Sequence, residues 1–191
     1  MFKDWFKSRC SDHVKYSDDE IVLKLLELHE QLFEKLGEVC DTFMSDVPEP
    51  EETQGEKVIF ALTMYIEAVL MLVLRIKKMN DVALKIVQRR LSFLSGSLPG
   101  GNKEAERFYE RVVNVCQILE DGVRNRESTA VLSLKLADSL FDSEELHSMR
   151  PSAQVLVAAT LLPYIQTFGA ALEFEVKGAA EIAYILGGYK S

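Results

Sequence analysis

Apolar side chains recur at steps of three and four residues along most of this chain, which is the spacing of amphipathic helices. The first such stretch follows Ser17-Asp18-Asp19-Glu20, where Ser17 and Glu20 have the spacing of a capping box. We therefore expect a long helix that begins at Ser17 and buries one broad side. Its predicted core stripe consists of Ile21, Leu25, Leu28, Leu32, Leu36, Val39 and Phe43.

Two further stretches are almost free of charge. Pro151–Leu172 has no charged residue, and Val58–Leu74 has only Glu67. A membrane-spanning helix needs about 20 apolar residues, and a charge near its middle costs roughly 2.5–3.5 kcal/mol. The 17 residues of the first stretch, its central Glu67, and Pro163 in the second favour a soluble protein. We therefore predict that residues 58–78 and 152–168 form two central apolar helices.

The breaks between the apolar stretches define the predicted architecture. Prolines and acids form an acidic linker at 46–54, and Ser/Gly/Pro residues form a hinge at 95–101, with Asn102 as the expected cap of the next helix. No stretch alternates with a period of two. The sequence therefore predicts an all-α, single-domain bundle of about seven helices over 17–191, preceded by an amphipathic N-terminal segment at 1–16.

Net charge and cysteine content narrow the functional classes. The chain has 191 residues and a formal charge of −8, which argues against nucleic-acid binding because that requires many Lys and Arg contacts to phosphate. The three cysteines, Cys10, Cys40 and Cys116, show no CxxC spacing, and the N-terminus has no apolar signal-peptide core. We therefore expect a reducing, cytoplasmic location.

Glu67 is the strongest single candidate for a functional residue. Its expected role is that of a buried functional carboxylate. Three interpretations are open: it lies on a solvent-facing stripe with Thr63, it is buried and hydrogen-bonded, or it has a catalytic or metal-binding role. Arg75 lies eight residues away, about 12 Å along a helix. A buried Glu67 therefore requires a partner from another helix.

Other motifs are too weak to indicate an enzyme. Glu144-Glu145-Leu146-His147 has the Glu-x-x-His spacing of di-iron proteins but occurs once, where a full site needs a second copy. His29 lies on the apolar stripe of the first helix and is interpreted as a hydrogen-bonded residue at the edge of the core. The Gly96–Gly101 loop lacks the spacing of a phosphate-binding loop. We therefore predict no catalytic residue, no cofactor and no metal.

Two sets of residues are candidates for binding a protein partner. Phe2, Trp5 and Phe6 form an amphipathic turn that packs on its own domain, docks into a partner's groove or touches a membrane. Asp46, Glu49, Glu51 and Glu52 belong to a block from Asp41 to Glu56 with six acids and no base, whereas Arg75–Arg90 holds six bases and one acid. Such polarity favours electrostatic steering of a charged partner.

The leading functional hypothesis is a non-enzymatic helical protein-binding module, such as an inhibitor, immunity or adaptor protein that recognises a charged protein. The first alternative is a membrane-associated protein, peripheral through Phe2–Arg9 or integral through 58–74 and 151–172. The second is an enzyme or small-ligand carrier with a pocket between helices near Glu67. A homo-oligomer through the small residues of Gly169–Gly188 is a further option.

Overall fold

The described residues of the protein, in a computed structural model, are 17–45, 52–97 and 100–172. They are helical and contain no strand, which confirms the all-α class. In chain order we number the α-helices α1 to α6, with one 3₁₀ helix between α5 and α6. Their bounds are α1 Asp18–Ser45, α2 Glu52–Ile76, α3 Asn80–Ser97, α4 Asn102–Arg124, α5 Thr129–Leu140, the 3₁₀ helix Glu144–Met149, and α6 Arg150–Ala171.

The number of helices differs from the predicted seven. The described ranges contain six α-helices. The segment around His147 is a 3₁₀ helix, and α6 continues through Pro163. Pro163 is solvent-exposed, so its ring has room on the outer side of the helix. Most of Gly169–Gly188, the segment considered for a homo-oligomer contact, lies outside the described residues.

The start of α1 confirms the predicted capping box. The Ser17 backbone N–H donates to Glu20 Oε2 at 2.8 Å, and the Glu20 N–H donates to Ser17 Oγ at 3.3 Å. The backbone bond that Ser17 donates lowers the pKa of Glu20, because it stabilises the ionised carboxylate. The predicted stripe is buried at Leu25, Leu28, Leu32 and Leu36.

Helix α2 is the centre of the fold. Each of the other helices contacts it, and its side chains from Met64 to Leu74 are all buried. This continuous burial explains why the sequence of α2 is apolar on every side rather than along one stripe. The predicted range of 58–78 is longer than this enclosed part, since α2 ends at Ile76 and both Arg75 and Ile76 are exposed.

The second predicted central helix, at 152–168, is wrong in its placement. α6 packs against α2, α5, α1 and the 3₁₀ helix with one side only. On that side the Tyr65 hydroxyl lies 3.1 Å from Thr160 Oγ1, and the Tyr164 hydroxyl donates to the Leu32 carbonyl at 3.4 Å. On the other side, Val155 is 69% exposed. Absence of charge therefore did not indicate burial in this helix.

Helices α2 and α3 extend into the predicted linker and hinge. α2 begins at Glu52, inside the predicted 46–54 linker, and α3 extends to Ser97, inside the predicted 95–101 hinge. The N-cap of α4 is Gly101 rather than a capping Asn102, and no side chain caps this end. Gly100 and Gly101 have φ values of 104° and 57°, which glycine adopts readily.

Helix α5 buries only part of its apolar residues. Val131 and Leu134 are exposed, whereas Leu132 and Ser133 are buried beside Leu136, Ala137 and Leu140. The reason is a close approach to α4 at Gly122, where a Cβ atom would lie 2.6 Å from Leu132 Cδ1. Leu132 therefore points inward because glycine leaves room for it.

Two helices end in left-handed residues that are not glycine. Lys78 has a φ of 57°, and Met79 N–H and Lys78 N–H donate to the carbonyls of Leu74 and Arg75, as in a Schellman motif. Arg126, with a φ of 56°, ends α4 in the same way. Residues with a Cβ atom are strained in this conformation.

We expect Lys78→Gly to stabilise the protein by about 0.5–1 kcal/mol, because glycine removes the strain of the left-handed conformation. Urea unfolding followed by circular dichroism measures the change. Lys24→Gly is the matched control, since the exposed Lys24 lies inside α1; it should destabilise by about 1 kcal/mol. A loss of stability in Lys78→Gly would contradict the assignment of the helix end.

Candidate functional site

Glu67 lies in the middle of α2 and is 1% exposed, so the solvent-facing interpretation is wrong. The stripe to which it was assigned does begin at the surface, since Ile59 is exposed and Thr63 is half-buried. One turn further along, α1, α3 and α4 cover the same face, because each supplies a side chain that contacts Glu67. The carboxylate is therefore buried by its neighbours and not by the apolar character of α2 alone.

Three residues from three other helices surround this carboxylate. The Tyr109 hydroxyl from α4 donates to Glu67 Oε1 at 2.9 Å. His29 Nε2 from α1 lies 3.0 Å from Oε2, and Arg90 Nε from α3 lies 3.7 Å from the same oxygen. We call Glu67, His29, Arg90 and Tyr109 the Glu67 cluster. It meets the expectation that a buried Glu67 needs partners from other helices.

The contact between Arg90 and His29 indicates which ring nitrogen of His29 carries a proton. Arg90 Nη2 lies 2.7 Å from His29 Nδ1, and a guanidinium can only donate, so Nδ1 is the acceptor. The ring proton then belongs on Nε2, which faces the carboxylate. Although Nε2 lies 3.0 Å from Oε2, neither it nor Arg90 Nε makes a well-aligned hydrogen bond. The two nitrogens therefore act on Glu67 chiefly through charge and dipole.

The net effect of the surroundings is to keep Glu67 ionised. Burial raises the pKa of its carboxyl group, but the contacts with His29, Arg90 and Tyr109 outweigh burial and hold the pKa below its ordinary value. Burial, and then the nearby Glu67 carboxylate, raise the pKa of Tyr109 strongly. Tyr109 consequently remains a protonated donor to the ionised Glu67 carboxylate.

This arrangement favours a structural role over a catalytic one. A general base needs access to the proton that it removes, whereas both Glu67 oxygens face residues of the same protein. Neither the cleft lined by Met64 nor the one lined by Arg75, both on the described part of the chain, includes a residue of the Glu67 cluster. Among the described residues, no group of three or more His, Cys, Asp or Glu side chains could hold a metal ion. Glu67 therefore cross-links four helices.

Most charges of the basic block from Arg75 to Arg90 lie near acidic residues of the same protein. Lys85 lies 3.4 Å and Arg89 3.5 Å from Asp19 of α1, while Arg75 pairs with Glu120 of α4 at 2.7 Å. Arg90 belongs to the Glu67 cluster. Electrostatic steering by this block is therefore weaker than its sequence indicates, because most of its charges have acidic partners nearby.

The residues proposed to contact a partner are mostly beyond the described part of the chain. Phe2, Trp5, Phe6, Asp46, Glu49 and Glu51 lie outside the described residues, and Glu52 is the first residue of α2. His147 of the Glu-x-x-His motif is an exposed residue of the 3₁₀ helix. The binding roles of the first group remain predictions.

A cleft of about 490 Å³ opens between the first turns of α2, Arg111 of α4 and the segment after α5. We call it the large cleft. A second one, of about 320 Å³, lies beside Arg75 and Glu120. Sequence reasoning missed the large cleft because its walls come from stretches that are distant in the chain. Its apolar residues are Phe60, Ala61, Met64, Leu140 and Leu146.

The outer side of α6 is the other surface that sequence reasoning missed. Ser152, Val155, Ala159, Pro163 and Gln166 follow each other at steps of three and four residues, and all are exposed. We call them the α6 outer face. No charged residue interrupts it, since 151–172 holds none. The sequence contained this signal, but we interpreted the absence of charge as burial.

Comparison of the chain with protein-family models, with curated proteins and with solved structures finds no match.

We expect Glu67→Gln to destabilise the protein by about 3–5 kcal/mol, because it leaves Arg90 buried without its counter-charge. Urea unfolding at neutral pH measures the loss. Glu120→Gln removes a carboxylate from a more exposed ion pair with Arg75, so its cost should stay below about 1 kcal/mol. Equal losses in the two variants would contradict the cluster's structural role.

We expect part of the protein's stability to disappear in acid because of Glu67. Its folded pKa is below the ordinary value of 4.5, so its contribution is complete above that value and is lost as the pH falls through the folded pKa. The difference in unfolding free energy between wild type and Glu67→Gln should therefore shrink as the pH falls below 4.5. A difference that grows in acid would show that Glu67 folds in its protonated form.

Proposed function

We propose that this chain is a non-enzymatic helical protein-binding module that contacts its partner through the α6 outer face. The observation that carries this proposal is the exposure of an uncharged helical surface, on which Val155 is 69% exposed. Contiguous exposed surface with little charge is typical of protein interfaces, where charged residues are depleted in the core of the contact.

The other helices provide the contrast that makes α6 distinctive. The exposed side of α1 includes Lys24, Glu27 and Glu30, and that of α4 includes Glu106 and Arg107. Such faces are suited to water. The face of α6 offers Val155, Ala159 and Pro163, with the polar Ser152 and Gln166 at its two ends, which suits contact with an uncharged helix of another protein.

The remaining parts of the functional hypothesis fit this surface. An inhibitor, immunity or adaptor protein needs a stable fold and a contact face but no catalytic group, and the Glu67 carboxylate is committed to the core. Cys116 is a buried free thiol, which supports the proposed cytoplasmic location. A basic partner bound by Asp46, Glu49, Glu51 and Glu52 is a separate proposal that the acidic composition supports.

A membrane-associated protein is the second candidate, favoured by the same outer face. Gly55–Ile76 and Leu146–Ala171 are long and apolar enough to cross a membrane. The first is mostly enclosed by the other helices, as core helices are, whereas less than half of the second is buried. A lipid-contacting role therefore fits α6 better than α2.

We expect Val155→Lys to abolish partner binding while leaving the fold unchanged, because a charge would be desolvated at the centre of the contact. The variant and wild type are compared by tagged affinity purification from cells of the source organism, with binding of the recovered protein then measured in purified form. Leu84→Lys is the matched control, since Leu84 of α3 is also an exposed apolar residue.

The experiment distinguishes a protein partner from a lipid surface. A partner retained by Leu84→Lys and lost by Val155→Lys supports the proposal. Self-association is recognised by light scattering, as a dimer that Val155→Lys converts to a monomer. Binding of wild type to lipid vesicles that Val155→Lys alone abolishes would overturn the protein-binding proposal in favour of the membrane candidate, and equal binding by all three proteins would exclude the α6 outer face.

A further inference from the structure

The large cleft has the size and lining of a small-molecule site. Its volume of about 490 Å³ falls within the range of roughly 300–1,000 Å³ that is typical of ligand pockets. Ala61 and Met64 of α2, Leu140 of α5 and Leu146 of the 3₁₀ helix line it and are almost completely buried. An apolar chain placed between them would have most of its surface removed from contact with water.

The rim of the large cleft supplies hydrogen-bond donors. Ser143 Oγ is shielded from solvent and has no hydrogen-bond partner in the protein. A buried hydroxyl without a partner is uncommon and calls for an explanation, of which a bound ligand is one. Ser143 precedes the 3₁₀ helix but does not cap it with its side chain, so no hydrogen bond within the protein has to break when the hydroxyl turns toward a molecule in the cleft.

Arg111 adds a second donor beside Ser143. Its Nη2 reaches Asp142 Oδ1 at 3.4 Å, and both side chains are exposed. A long, exposed ion pair of this kind is weak, and a guanidinium has further N–H groups that bind a carboxylate in parallel. The Asp142 side chain is 65% exposed, so its carboxylate can turn to solvent. A ligand acceptor at this position would therefore receive bonds from Arg111 and Ser143 together.

We infer that the large cleft binds a small amphipathic molecule with an apolar chain and a carboxylate head. The chain lies over Phe60, Ala61 and Met64, and the head is held by Arg111 and Ser143. Lys57 also lines the rim and contributes positive charge, while Glu56 and Asp142 limit the preference for an anion. This site is separate from the α6 outer face, because no residue of α6 lines the cleft.

Dodecanoate below its micellar concentration is the probe, and isothermal titration calorimetry of the full chain is the measurement. We expect one molecule to bind per chain. Decanoate should bind about tenfold more weakly, because it buries two fewer CH₂ groups. Dodecyltrimethylammonium, with the same chain and a cationic head, should also bind at least about tenfold more weakly, because it cannot accept from Arg111 or Ser143.

Three variants assign the site. Arg111→Gln and Ser143→Ala should each weaken dodecanoate binding by about tenfold, and Ala61→Leu should block the chain. Arg124→Gln is the control for Arg111→Gln, since it removes an exposed arginine from the same helix. Because Arg111 is exposed, its variant folds even if Ala61→Leu does not, and circular dichroism verifies this.

Each outcome decides the inference. Saturable 1:1 binding that falls in Arg111→Gln and Ser143→Ala but not in Arg124→Gln supports it. No saturable binding, or binding that none of these variants changes, overturns it, as does equal affinity for the cationic amphiphile. Val155→Lys should bind dodecanoate as wild type does, so a failure of the protein-binding proposal does not affect this test.

Discussion

The ionised Glu67 carboxylate in the middle of the most enclosed helix is the constraint on which the rest of the structure depends. A buried charge costs several kcal/mol unless it is paired and hydrogen-bonded, so α2 cannot be enclosed by apolar residues alone. His29, Arg90 and Tyr109 must arrive from α1, α3 and α4 at the same height. A shift of any of these helices by one turn, about 5.4 Å, would separate its side chain from the carboxylate. The cluster thus fixes the register of four helices.

The enclosure of α2 determines what the other helices present to solvent. Because α2 keeps almost no face for water, solubility depends on the outer sides of α1, α3, α4 and α5. The acids and bases there also pair across helices, as Asp19 does with Arg89 and Glu120 with Arg75. α6 contributes packing on its inner side through Tyr164 and Thr160 but no charge on its outer side. That imbalance distinguishes α6 from the other helices.

Local sequence patterns predicted the helices and their inner stripes well, because helical periodicity and the Ser17–Glu20 box depend on neighbouring residues. Two kinds of error arose from information that is not local. Leu132 replaced Val131 in the core because Gly122 of another helix leaves space for it, and the absence of charge in α6 was mistaken for burial. The need of Glu67 for a partner was predictable, but its identity was not. Arg90 was counted in a surface block, and Tyr109 as a core aromatic.

The two nearly uncharged stretches therefore have similar compositions but are buried in different ways. In residues 64–74 of α2, the apolar side chains are enclosed on every side, and the one charged residue, Glu67, is matched by residues from other helices. In α6, apolar and small side chains are buried on one side and exposed on the other, without the lysines and glutamates that ordinary exposed helices carry. The buried charge of Glu67 stabilises one arrangement of the helices only when all its partners are present. The exposed Val155 side chain, by contrast, gives the isolated protein an unfavourable free energy of apolar hydration. The proposed contact through the α6 outer face would remove this cost, because it would take Val155 out of water.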